Sequence, residues 1–450
     1  MAVAGRDEHL AEVSDAVCRM GSLMLSSGTG SFRVKAAMGR VASALGVEQL
    51  EAQVSLNEIV VTTRARGVFR TQVVEVPAPS VNADRISRLL NVSLRARPGW
   101  SAADLHRELD RVEATGNRYR WWVVVLGAAL ACAAFAFLNN GRWQECLAAG
   151  LAAAIGKGVQ LALHHRVRIN LLAIVAVSAT VACSVYLLIA LAIEHLLPWE
   201  GLAMHEAAFT SAILFLVPGF PLMTAALDLT RFDFTSGVAR LLFAGLILFS
   251  ASMGAWLVAW AFRLTPGEIS RPDLAPWLLV LLWAVTSFAG VLGFAWTFQT
   301  PPRVALVTAV IGMLANVGRL VALEYGLNQL IGAALASAVI GLLAASVSQL
   351  LLAPRIILSV PAVLIMVPGA SSYRALVYMI NNDPLNALAN ASVAMGVIVA
   401  LAAGLALARM LTDPAWIAST PSWTDMPRTR AQRVLRAHDA AGGRGSADRQ

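Results

Sequence analysis

The residues whose types and spacing could do chemistry fall in two matching places. Ala212-Ile213-Leu214-Phe215-Leu216-Val217-Pro218-Gly219 aligns with Ala362-Val363-Leu364-Ile365-Met366-Val367-Pro368-Gly369 at an offset of 150 residues, and Asp233 aligns with Asp383 at the same offset. Each Val-Pro-Gly stands about 12 residues into an apolar stretch, which at about 1.5 Å per residue is near the middle of a bilayer. Proline removes a backbone donor and clashes with the preceding turn, and glycine loosens the chain further. Main-chain polar groups freed at that depth must face protein or a watery cavity, because lipid cannot satisfy them. Two such breaks would offer dipole ends and carbonyls to a small polar solute. The plain alternative is a pair of packing kinks.

The candidate binding residues follow from the breaks: Pro218, Gly219 and Thr224 in the first, and Pro368, Gly369, Ser371, Ser372, Tyr373 and Arg374 in the second. Hydroxyls and an arginine suit a carboxylate. Asp228 suits an ammonium group or a proton in transit, or else is an interfacial charge at a helix end. Lys157, Asn316 and Arg319 also lie inside apolar stretches. Ionisable groups at that depth are functional candidates, although Lys157 and Arg319 can also snorkel to opposite faces.

The elements that must position these residues are legible from composition. Of the 450 residues 58% are apolar and only 14% are charged, against about 25% charged in a soluble domain. Residues 121–408 hold 12 Lys/Arg and 10 Asp/Glu, whereas residues 1–120 hold 16 and 13, and residues 409–450 hold 7 and 4. Ten apolar stretches are long enough to cross about 30 Å of hydrocarbon: 121–138, 146–163, 169–192, 206–228, 238–262, 276–298, 303–322, 329–352, 356–380 and 386–408. Arg118, Arg120, His164, His165, Arg166, Arg168, Arg231, Arg240, Arg303, Arg355 and Arg409 flank one side. Glu194, Glu200, Glu206, Glu268, Asp273, Glu324 and Asp383 flank the other, with Arg142, Arg263 and Arg271 as exceptions. The positive-inside rule then places both termini in the cytosol of a multi-pass plasma-membrane protein. Five stretches per half is an odd number, so the second half is expected to lie inverted relative to the first.

The fold class expected is therefore mostly α. It comprises about ten transmembrane helices in two inverted five-helix repeats, 121–262 and 276–408, with a cytosolic α+β domain over 1–120 and a basic tail over 409–450. Within 1–120, helices are expected over His9–Ser26 and from an N-capping Ser31 to Gly46. Strands are expected over Val54–Thr62 and Val68–Val76, closed by Pro77 and Pro79. Two helices follow, about Ala83–Ala96 and Ser101–Thr115. Ser26 and Ser27 stand before a glycine, but there is no G-x-S-x-G, and His9 and His106 have no evident partners. No catalytic residues, metal site or cofactor are expected. The four cysteines have no CxxC spacing. The net charge of +8 carries no basic run interleaved with aromatics, so nucleic acid is not an expected partner. No Walker A sequence is present.

These residues resemble a known family. Leu25-Ser26-Ser27-Gly28, Phe32-Arg33-Val34, Ala44-Leu45-Gly46-Val47, Val60-Val61-Thr62-Thr63 and Val81-Asn82-Ala83-Asp84-Arg85 look like the cytosolic domain of the bacterial threonine/serine exporters. Val217-Pro218-Gly219-Phe220-Pro221, continuing through Asp228 and Asp233 to Ser236-Gly237-Val238-Ala239-Arg240, resembles that family's first membrane signature. Val367-Pro368-Gly369 with Tyr373-Arg374 resembles its second. The chain departs from the pattern at Arg231-Phe232, where relatives usually carry small residues. The resemblance implies ten spans and export of threonine and serine driven by the proton motive force. Some relatives divide the architecture between two chains and export dicarboxylates such as succinate, which is the alternative substrate class. A channel, or a receptor or hydrolase acting through residues 1–120, stands as a competing class. A homo-oligomer is left open.

Overall fold

The computed structural model describes residues 2–76, 80–166, 169–196, 206–263 and 274–413. Pro77, Pro79, Arg168, Glu200, Glu268, Arg271, Asp273 and the tail beyond 413 lie outside the described residues.

The N-terminal elements are α1 (Ala2–Ser26), α2 (Ser31–Ala44), β1 (Gln49–Val54), β2 (Glu58–Ala65), β3 (Val68–Glu75), α3 (Ala83–Arg95) and α4 (Ala102–Ala114). Three antiparallel strands, in the order β1-β2-β3, stand where two were expected. A turn that pairs the Ser55 amide with the Glu58 carbonyl at 2.8 Å interrupts the expected strand Val54–Thr62 near its start, so that strand begins at Glu58, and the stretch just upstream, Gln49–Val54, to which no strand was assigned, pairs with it. The helix predicted from Ser31 does start there, but Gly30 is its N-cap. The Ser31 hydroxyl instead donates to Asp233 at 2.7 Å. Met20, Met24, Val34, Met38, Ile59, Leu89 and Leu105 form the apolar core of this unit. On α4, a capping box between Ser101 and Asp104 ties the first turn.

The remaining helices are α5 (Trp121–Leu138), α6 (Trp143–Arg166), α7 (Leu171–Leu196), α8 (Glu206–Ser211), α9 (Gly219–Leu229), α10 (Phe234–Ala261), α11 (Pro276–Thr297), α12 (Pro302–Glu324), α13 (Gln329–Ser348), α14 (Arg355–Leu364), α15 (Gly369–Ile380) and α16 (Pro384–Thr412). Among the described residues, eight helices are long and apolar enough to cross a bilayer. The α8–α9 unit qualifies as a ninth crossing if counted whole, and bends by 69° between Leu216 and Gly219. Large apolar side chains such as Leu126, Leu246 and Phe249 point outward, as lipid-facing positions require. Trp121, Trp143, Trp260 and Trp277 are exposed at helix ends, where an aromatic belt meets the headgroups.

Helix directions follow from close contacts. Along the α5–α11 seam, Gly127 lies against Trp296, Ala131 against Gly293 and Ala134 against Gly290, so the two helices run antiparallel. Gly150 of α6 meets Ala133 of α5, and Gly312 of α12 meets Val291 of α11, each pair also antiparallel. By contrast, α7 and α10 run parallel, with Ser250 on the Leu172 carbonyl and Gly254 against Ala176 and Ala179. In α13 and α16 the same parallel course appears, with Gly396 against Leu330 and Gly404 against Ala334 and Ser337.

Candidate functional site

The two Val-Pro-Gly breaks have the same local geometry. Pro218 has φ −80° and ψ 64°, and Pro368 has φ −79° and ψ 70°. Each is the centre of an inverse γ-turn, closed by Gly219 N–H on the Val217 carbonyl at 2.8 Å and by Gly369 N–H on the Val367 carbonyl at 2.9 Å. A helix then begins at each glycine. The turns take up the two glycine amides and Pro221 has none, so Phe220 N–H in the first helix and the N–H groups of residues 370 and 371 in the second are left without an intrahelical acceptor, and each N-terminus carries a partial positive charge. The ends of α9 and α15 also match: the Asp233 amide bonds the Asp228 carbonyl at 3.0 Å and the Asp383 amide bonds that of Tyr378 at 2.9 Å. Phe232 and Asn382 both take positive φ there.

Both breaks open on one cavity of about 130 Å³, room for several waters or one small solute. Val217, Gly219, Val367, Gly369 and Ser372 line it, together with Phe135, Thr210, Leu214, Ser252 and Leu364. The glycines are required by packing. A Cβ on Gly219 would overlap the Leu364 side chain, and one on Gly369 would stand 2.6 Å from the Phe135 ring. The lining is apolar except for Thr210, Ser252 and Ser372, and the Ser372 hydroxyl donates to the Pro368 carbonyl at 2.8 Å. No acidic side chain borders it among the described residues.

The other candidates are placed elsewhere. Thr224 lies beyond the cavity, where its hydroxyl donates to the Phe220 carbonyl at 2.8 Å. Ser371 and Arg374 are half-buried on α15 and do not line the cavity. The Tyr373 side chain lies outside the described residues. Asp228 is nine residues past Gly219, about 13 Å along the helix, and it is buried against the N-terminal unit. Its Oδ2 stands 3.3 Å from Arg240 Nε and accepts from the Ser236 hydroxyl at 2.9 Å and the Ser31 amide at 3.4 Å. Arg240 is itself 1% exposed and donates to the Thr29 carbonyl at 2.9 Å. Lys35 and Asp233 add an ion pair at 2.7 Å. Nearby, burial first and then Arg409 and Arg355 push the Arg33 guanidinium well below the usual arginine range.

Four components of this arrangement carried no assigned role in the sequence. Arg240 appeared there as a flanking charge and as the end of the first membrane signature, but nothing in its spacing from Asp228 marks them as partners. Phe135 comes from a different helix, and no local signal ties it to the breaks. Thr210 and Ser252 carried a faint one, being hydroxyls within apolar stretches.

Residues 15–262 match the family model described as "Putative threonine/serine exporter", and residues 283–411 match a second, described as "Threonine/Serine exporter, ThrE". The chain is 24% identical over 430 residues to the "Threonine/serine exporter" of Corynebacterium glutamicum, covering 90% of this chain and 84% of that one. It is 23% identical over 431 residues to the "Probable threonine/serine exporter" of Mycobacterium tuberculosis, with 91% and 78% covered. It is 26% identical over 249 residues to the "Probable succinate transporter subunit YjjP" of Escherichia coli, with 54% of this chain and 93% of that one covered. No solved structure matches.

Proposed function

The chain belongs to the threonine/serine exporter family, and from that premise we propose that it exports small carboxylate-bearing solutes, threonine and serine first, through the cavity between the two broken helices. The observation that carries this reading is the convergence of two helix N-termini on one small cavity with no acidic wall. Two positive dipole ends favour a carboxylate, and the hydroxyls of Thr210, Ser252 and Ser372 suit the polar remainder of the solute.

The membrane part is read as ten crossings in two inverted repeats, 121–262 and 276–408. The parallel pairs α7/α10 and α13/α16 support this, because the broken unit between each pair must carry the chain back across. The antiparallel α5/α11 seam supports inversion. Residues 1–120 are read as a cytosolic domain and both termini as cytoplasmic, on the positive-inside argument. Export is driven by the proton motive force, and Asp228 is the coupling carboxylate, being the one acid on α9 and α15. Protonating it would release Arg240 and, with it, the Thr29 carbonyl.

A dicarboxylate is the second reading. It is favoured by the same missing acid, since an α-ammonium finds no carboxylate on the cavity wall while a second carboxyl group finds a second helix N-terminus. Efflux from cells preloaded with labelled threonine, serine or succinate, with and without an uncoupler, separates the two. Uncoupler-sensitive efflux of the amino acids alone supports the first reading. Efflux of none of the three overturns both, and downhill flux indifferent to the uncoupler indicates a channel.

A further inference from the structure

The second helix of each half carries one cation inside the membrane, and the two cations are related by the repeat. Aligning α6 with α12 at an offset of 159 places Lys157 on Asn316 and Gln160 on Arg319. The same alignment superposes the preceding turns. The Asn140 amide bonds the Phe137 carbonyl and the Gly141 amide that of Ala136, while the Gln299 and Thr300 amides bond those of Trp296 and Ala295. Asn140 and Gln299 both take positive φ.

Each cation bonds the amide one turn away on its own helix, in mirrored order. Lys157 Nζ donates to Gln160 Oε1 at 2.7 Å, and Arg319 donates to Asn316 Oδ1 at 2.9 Å. Neither is held by a carboxylate: no acidic group pairs with either among the described residues. The Lys157 ammonium lies 5.9 Å from the centre of the Phe215 ring, three residues before the first break. Asn316 is fully buried and donates to Ser287 on α11 at 2.8 Å. One turn from Ser287, Gly290 meets Ile365, the counterpart of Phe215 at the 150-residue offset. Both polar pairs therefore stand behind the segment that leads into a break.

Because α5 and α11 are antiparallel and each is antiparallel to its successor, α6 and α12 run in opposite directions. Lys157 lies about 4 Å from the middle of α6 toward the face that carries the N-terminal unit, and Arg319 about 9 Å from the middle of α12 toward the other. A charged side chain inside the membrane is costly unless it is paired or wetted, and a neutral amide does not cancel its charge. The missing counter-charge fits an anion that comes and goes. We propose that Lys157 and Arg319 are equivalent charge stations for the carboxylate of the transported solute, one on each side of the cavity. This rests on the export reading above and adds to it the route by which the carboxylate enters and leaves.

The test uses the full chain in vesicles of both orientations, with threonine and succinate as probes. Lys157→Gln should raise KM about tenfold (~1.4 kcal/mol) for solute arriving from the face of the N-terminal unit, and Arg319→Gln should do so from the opposite face. Lys157→Arg, Arg319→Lys and the exchange Lys157→Gln with Gln160→Lys should restore it. Equal changes at both faces, or less folded protein with KM unchanged, mark a structural role and overturn the proposal. A readout without turnover is the stabilisation of the purified chain against heat by succinate or threonine, compared with threoninamide at equal ionic strength. Lys157→Gln should diminish it. Stabilisation untouched by either neutral variant, or absent in the parent chain together with transport, also overturns the proposal. Normal transport by Pro218→Ala alongside face-specific KM shifts would instead sink the cavity reading and leave the stations standing.

Discussion

At the scale of single residues, burial decides which charges matter. Asp228 and Asp233 are five residues apart, yet Asp228 is 2% exposed and shares Arg240, while the Asp233–Lys35 pair is 17% exposed on both sides. Removing one partner of a buried pair strands the other charge and costs about 3–5 kcal/mol, whereas a partly exposed pair is worth about 1 kcal/mol or less. Asp228→Asn is therefore expected to lower the melting temperature and the efflux rate well below those of Asp233→Asn. The reverse ranking would remove Asp228 from the coupling role. Cys18 gives a second residue-scale expectation. Burial, with Asp15 next, pushes its thiol from 9.0 up to about 11, so near neutral pH it holds about a hundredfold less thiolate than an ordinary cysteine. Maleimide should modify it slowly in the native chain and quickly after denaturation.

At the scale of elements, the breaks are built by chemistry the sequence displays openly. Proline sets φ and forbids the helical hydrogen bond, and the glycine that follows admits a neighbour where any Cβ would collide. Pro218→Ala should let α9 extend backward and erase the γ-turn. Gly369→Leu should drive a side chain into the Phe135 ring. Both variants are expected to reach the membrane at near-normal levels and to lose efflux, as read by surface labelling and labelled-threonine export. The eight membrane-length helices were legible for the same reason: hydrocarbon demands about 20 apolar residues in a row. The third strand was not, because the Ser55–Glu58 turn lacks the glycine or proline that usually announces one. The capping role of Ser31 also failed, since its hydroxyl finds a stronger acceptor in Asp233, two hundred residues away.

At the scale of the whole molecule, the two halves share a plan that the N-terminal unit makes unequal. That unit docks through Ala83 N–H on the Phe298 carbonyl at 2.9 Å, through Tyr119 on Gln299 and Thr300, and through the Asp228–Arg240–Thr29 group. At the equivalent end of α15, Asp383 accepts from the Asn386 amide on an exposed helix start. Among the described residues, the N-terminal unit therefore covers the end of the first broken helix and no such unit contacts the end of the second. Cysteines at 232 and 302 should label from one face and a cysteine at 382 from the other; position 198 lies outside the described residues. Any exchange among these would overturn the proposed inverted arrangement.

The sequence by itself determined that this chain is a membrane protein, where its helices run and where two of them break. Those properties depend on the local run of apolar residues and on proline and glycine, whose effects reach only one turn. Only the tertiary structure decided that Phe135 and Leu364 wall the cavity and that Asp228 answers to Arg240 and the N-terminal unit. Which face of a helix meets which neighbour depends on packing between residues far apart in the chain, and nearest-neighbour chemistry carries no record of it.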